Sequence, residues 1–166
     1  MGHFDRHITV TKGLPPTMKK VKGPLRKRKG FGRGIAAPQI GVPLRIFVVA
    51  GHVFALGKEE DEKRLRDKKI YPDAVFINPK VTKLSKKARW IIEGCLSARW
   101  LYGNVRRADK ATVKAYDERG RKFSYGGSGL IAQIFQHEVD HLDGVLFLDK
   151  AKDVKSIPPE KRGGKK

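Results

Sequence analysis

His137-Glu138-Val139-Asp140-His141 sets two histidines four residues apart, with a carboxylate directly after the first. On a helix, positions i and i+4 share a face, so both imidazoles turn toward one ion and Glu138 stands beside it. The chemistry this suggests is hydrolysis: an ion that lowers the pKa of a bound water, and a carboxylate that takes its proton and later delivers it to a leaving group.

Two imidazoles fall one short of the three protein ligands usual at a catalytic metal. A metzincin pattern would place a histidine six residues after His141, where this chain has Phe147. The downstream acids Asp149, Asp153 and Glu160 lie beyond the expected helix and are weak candidates for a thermolysin-like third ligand. Cys95 is the better one. It stands in Glu93-Gly94-Cys95-Leu96-Ser97, directly after an expected strand, where a glycine lets the backbone approach closely. A lone cysteine is most often only a small buried hydrophobe. A thiolate with two imidazoles suits a borderline-soft ion such as ferrous iron, zinc, cobalt or nickel, and disfavours magnesium or calcium. A further island, Gly32-Arg33-Gly34-Ile35-Ala36-Ala37-Pro38-Gln39-Ile40-Gly41, is dense in small residues, as where something approaches the backbone closely, and Gln39 offers a side-chain amide for an oxyanion.

These residues need elements to hold them. The spacing predicts a helix over about Ser128 to Leu142, with Ser128 as N-terminal cap and Gly144 placed for the C-terminal end. Leu130, Ile134, His137 and His141 fall at i, i+4, i+7 and i+11, so the histidines continue a buried apolar stripe. Strands are expected at Leu44 to Val49, Val75 to Asn78 and Val81 to Ile92. A hairpin is expected from Thr112 to Tyr125 around the turn Asp117-Glu118-Arg119-Gly120. The expected fold is α+β: antiparallel β-sheets packed around one central buried helix that carries the histidine motif.

With 166 residues, 39% of them hydrophobic, the chain suits a single domain. It has no apolar run long enough to span a bilayer and no secretory signal at its start, so no membrane role is expected. One cysteine fits a reducing compartment. The cytoplasm is expected, although the acid-poor start leaves an organelle open. The formal charge of +20 is uneven: residues 1 to 32 carry nine Lys/Arg against one acid, and residues 150 to 166 carry seven against two. Residues 1–31 are therefore expected as a loosely held basic arm, 32–149 as the catalytic domain and 150–166 as a basic tail, with Lys58 to Lys69 a solvated loop. Basic ends favour a polyanion, RNA above all, through phosphate contacts. The alternative is solubility alone.

The three islands, in this order, resemble the three signature motifs of the peptide deformylases, over about Gly32 to Asp149. The resemblance implies removal of the N-formyl group from the initiator methionine of nascent polypeptides. Ferrous iron is the usual metal, and zinc, nickel or cobalt are substitutes. It implies that Cys95, His137 and His141 hold the metal, that Glu138 is the acid/base residue, and that Gln39 and the backbone N–H of Leu96 bind the oxyanion. Gly34 would contact the peptide backbone. The methionine slot would be lined by Leu130, Ile134 and the stem of Arg33. Arg33 stands where the family usually has an apolar residue, and Ala98-Arg99-Trp100 where it usually has an apolar residue, then proline and often glycine. The partners implied are formyl-methionyl nascent peptides and, through the basic ends, ribosomal RNA; the chain is expected to be a monomer. Two other readings compete with the deformylase. One is a ribosome- or RNA-binding relative that keeps the metal only as a structural clip. The other is a different metal amidase or protease on the same site.

Overall fold

A computed structural model of the chain describes residues 32–55 and 71–158. The expected N-terminal arm and the loop from Lys58 to Lys69 lie outside the described residues. The expected α+β architecture is present: among the described residues, two antiparallel sheets with one α-helix between them.

The first sheet has the strand order β1-β2-β3-β6-β7, formed by β1 (Gly34–Ala36), β2 (Ile46–Val49), β3 (Ala74–Leu84), β6 (Lys110–Tyr116) and β7 (Lys122–Ser128). The second has the order β4-β5-β8, from β4 (Ala88–Cys95), β5 (Ala98–Ala108) and β8 (Lys152–Ser156). Helix α1 runs Leu130–Leu142. The run in β2 is apolar at every position because the strand is covered on both sides. Phe47 and Val49 join the core against the helix, while Ile46 and Val48 join a second cluster with Ile35, Ala37, Val75 and Ile77. Phe47 stacks on Phe76 at 4.5 Å, and Phe135 of α1 meets Phe76 edge-on at 5.1 Å. That aromatic knot ties the helix to the sheet; truncating one such ring to alanine typically costs about 3 to 5 kcal/mol.

Several boundaries differ from expectation. The strand expected from Leu44 starts at Ile46. The strand expected from Val75 to Asn78 does not stop there: β3 continues to Leu84 through an irregularity at Asn78 (φ 48) and Pro79, where the pairing with β6 shifts. Proline donates no ladder hydrogen bond, so a bulge absorbs it. Conversely, Val81 to Ile92 is not one strand. It breaks at Ser85 to Lys87, where Ser85 Oγ donates to Lys87 O at 2.7 Å and accepts from Lys110 N at 3.0 Å. The expected hairpin is present, with Gly120 at φ 74.

Ser128 does not cap α1. It ends β7, paired with Lys110, and the cap position is Gly129 at φ 56, a conformation open mainly to glycine. Sheet pairing claims Ser128 before the helix can. The stretch expected as a tail from Lys150 contributes β8, whose pairing with β5 joins it to the second sheet.

Candidate metal centre

Two elements bring the chemistry together: α1, and the turn that joins β4 to β5. The alternation along β4 turns Glu93 and Cys95 inward, toward α1, and the helix presents His137 and His141 to them. Cys95 Sγ lies 3.2 Å from His141 Nε2, and His141 Nε2 lies 3.2 Å from His137 Nε2. One ligand atom from each of the three residues falls within 4.8 Å of the others. Ligands about 2.0 to 2.3 Å from a tetrahedral ion lie roughly 3.3 to 3.7 Å apart, so the spacing fits a single borderline-soft cation.

The electrostatics agree with that donor set. Burial alone would push the Cys95 thiol up, but hydrogen bonds with His137 and His141 and the Ser97 amide bring it down to about 5. Burial would likewise discharge His137, yet its contacts with Cys95 and Glu93 hold it up near 10, so ligating an ion through Nε2 means giving up the proton there. The charged thiolate is the form that binds a metal.

Glu138 is 4% exposed, and among the described residues its Oε2 has no hydrogen-bond partner. Burial pushes its carboxyl up to about 7 against the pull of the two imidazoles. Room for it exists because residue 34 is glycine: a Cβ there would sit 2.5 Å from Glu138 Oε1. The first island therefore acts on the helix as well as on any ligand. Gln39 is held by its own backbone, accepting from Ala36 N at 2.8 Å. Its Nε2 then donates to Cys95 Sγ at 3.3 Å and Ser97 Oγ at 3.1 Å, beside the turn that contains Leu96. Ile134 is buried in the core with Leu130 packed against that cluster, whereas Arg33 is exposed.

A buried relay stands behind the ligands, two of its members inside the motifs and its arginine outside them. Glu93 Oε2 lies 3.0 Å from His137 Nδ1, which places the proton on Nδ1 and turns the Nε2 lone pair toward the cluster. Arg107, 3% exposed, grips Glu93 with two hydrogen bonds of 2.8 and 2.9 Å and reaches Asp140 at 2.6 Å. Lys150 closes the chain on Asp140 at 2.7 Å. Burial opposes the charge on Glu93, but the hydrogen bonds from Arg107 and His137 win and hold it at about 2. Asp140 lies inside the histidine motif, three residues past His137. Arg107 lies in the charged run Arg106-Arg107-Ala108-Asp109-Lys110. Phe147, buried, lies at 6.4 Å and 29° to the His137 ring.

Comparison with known proteins gives the family. The family model of polypeptide deformylase matches residues 3–156, further at both ends than the three motifs alone reach. A peptide deformylase from Thermomicrobium roseum is 41% identical over 136 residues, 80% of this chain and 72% of that protein. One from Christiangramia forsetii is 39% identical over 127 residues, 75% of this chain and 63% of that protein. A class I type b peptide deformylase from Acinetobacter baumannii, solved with Met-Ala-Ser bound, superposes with a TM-score of 0.68 at 28% identity, covering 87% of each chain. With the match spanning nearly all the chain and the donor set intact, this protein belongs to the polypeptide deformylase family of metal-dependent hydrolases.

Proposed function

We propose that the chain removes the formyl group from the N-terminal methionine of nascent polypeptides, releasing formate and a free amine. The observation that carries this is the unpartnered, buried Oε2 of Glu138 beside the converging Cys95, His137 and His141. A buried carboxylate is costly unless it has work to do or a partner to meet. Cys95, His137 and His141 would hold one divalent ion, ferrous iron with zinc, nickel or cobalt as substitutes. When bound, it supplies Lewis-acid polarisation of the formyl carbonyl and of water.

The chain's own residues do the rest. Glu138 takes the proton from the attacking water and returns it to the amine nitrogen as the C–N bond breaks, a task suited to a carboxyl raised toward neutrality. Gln39 Nε2 and the Leu96 N–H receive the developing oxyanion. Gly34 meets the peptide backbone, and Leu130, Ile134 and the Arg33 stem line the methionine slot. A relative that binds Met-Ala-Ser, the product end of such a reaction, supports that choice of substrate. The structural-clip reading finds no support: a purely structural site has no use for Glu138 or for the clearance at Gly34.

Among the described residues no helix is long and apolar enough to cross a membrane. The chain acts as a monomer in the cytoplasm, with its basic ends near ribosomal RNA. The chemistry is assigned to residues 32–149, with the basic stretches 1–31 and 150–166 on either side.

The test is formate release from formyl-Met-Ala-Ser by anaerobically purified protein. Wild type turns over with about one metal per chain, Glu138→Gln keeps the metal and loses about a hundredfold or more, and chelation abolishes turnover. Bound metal without turnover in the wild type would overturn the reading.

A further inference from the structure

We propose that the outer face of the β4-β5-β8 sheet binds single-stranded RNA. This face points away from the metal ligands. Glu93 and Cys95 project inward, so Trp90, Ile92 and Gly94, at the alternate positions of β4, project outward. Cross-strand partners share a face, and Trp90 pairs with Arg106, Ile92 with Asn104 and Gly94 with Tyr102. Lys152 and Lys155 of β8 pair with Asn104 and Tyr102.

The result is two aromatic rings flanking an isoleucine, rimmed by cations. Trp90 is 49% exposed, Ile92 70% and Tyr102 37%. Lys152 Nζ sits 4.9 Å from the centroid of the Trp90 ring. Tyr102 lies across Gly94, where a Cβ would be 2.7 Å from its ring, so residue 94 leaves the space that ring occupies. The acid that reaches this face is Asp153, 3.4 Å from Asn104 Nδ2. Exposed rings on a sheet invite aggregation and are kept where they serve a contact.

Charge selects the occupant. A second copy would set Arg106, Lys152 and Lys155 against themselves. The chain's own residues 1 to 32, with nine Lys/Arg against one acid, would be repelled in the same way. A polyanion fits the cations, and flat bases fit the two rings; a sheet whose aromatics stack bases while its cations hold phosphates is an established platform for single-stranded RNA. The contact differs in kind from attraction by the basic ends, which offers phosphate contacts and no stacking. It also leaves the metal cleft open, so RNA binding and deformylation are separately measurable.

The experiment is anisotropy of a labelled single-stranded RNA of about 12 nucleotides, titrated with the full-length, metal-loaded protein across a range of salt. Trp90→Leu and Tyr102→Ala should each weaken binding about tenfold with an unchanged salt slope. Lys152→Gln should lower that slope by about one. All three should deformylate formyl-Met-Ala-Ser like the wild type, which also reports that they fold. Aromatic variants that bind as the wild type does would overturn the proposal and leave binding to the basic ends. So would duplex RNA binding as well as single strands, or polyglutamate displacing the RNA at equal charge.

Discussion

The two faces of the β4-β5-β8 sheet are built from the same strands and carry opposite physics. Adjacent arginines make the contrast sharpest. Arg107 is 3% exposed and locked to Glu93 and Asp140, whereas Arg106, one residue earlier, is exposed and opposite Trp90. Inward, charge is buried, paired and fixed in geometry, as a metal ligand's support must be. Outward, charge and aromatic surface are left exposed by the fold and open to a partner. Strand alternation alone lets eight residues of β4 serve both.

The largest break of that contrast should come from Arg107→Ala. It leaves the buried Glu93 without its guanidinium and Asp140 with Lys150 alone, a loss of about 3 to 5 kcal/mol in urea unfolding, while Arg106→Ala should stay within about 0.5 kcal/mol. Equal effects would erase the distinction. A finer cut is Glu93→Gln, which keeps the shape but weakens the hold on His137 Nδ1; metal affinity by competitive chelation should fall about 10- to 100-fold. Smaller again is Trp100→Gly. Trp100 adopts φ 67 at a position where the family often has glycine, so the change should relieve strain and stabilise by about 1 kcal/mol in thermal unfolding. The smallest effect belongs to Ile92→Thr on the outer face, expected within about 0.5 kcal/mol by the same measurement because the side chain is 70% exposed.

The legible part of the site was the part written in one element or one short run. His137, Glu138 and His141 announce themselves because helical spacing is a local property, and Cys95 follows from ligand chemistry and its glycine neighbour. The approach of the first island to the helix was legible only as a density of small residues. That Gly34 makes room for Glu138 depends on a strand and a helix meeting about a hundred positions apart. Arg107 was hidden for a similar reason. The period of two puts it on the side of the buried Val105, but a charge there is legible only once Glu93 and Asp140 arrive from other elements.

By itself the sequence determined the donor set, the helix that carries two of its members, the α+β class and the basic ends, since these rest on residue type and on periods of two and 3.6. Only the tertiary structure decided the rest. It gave Ser128 to a strand instead of a helix cap, continued β3 through Asn78-Pro79, drew Lys152–Ser156 into a sheet, and closed the relay from Lys150 to His137. Each of these is a competition between local preference and pairing with a distant segment. The burial and hydrogen bonds supplied by that segment outweigh a cap or a turn signal by a kcal/mol or more.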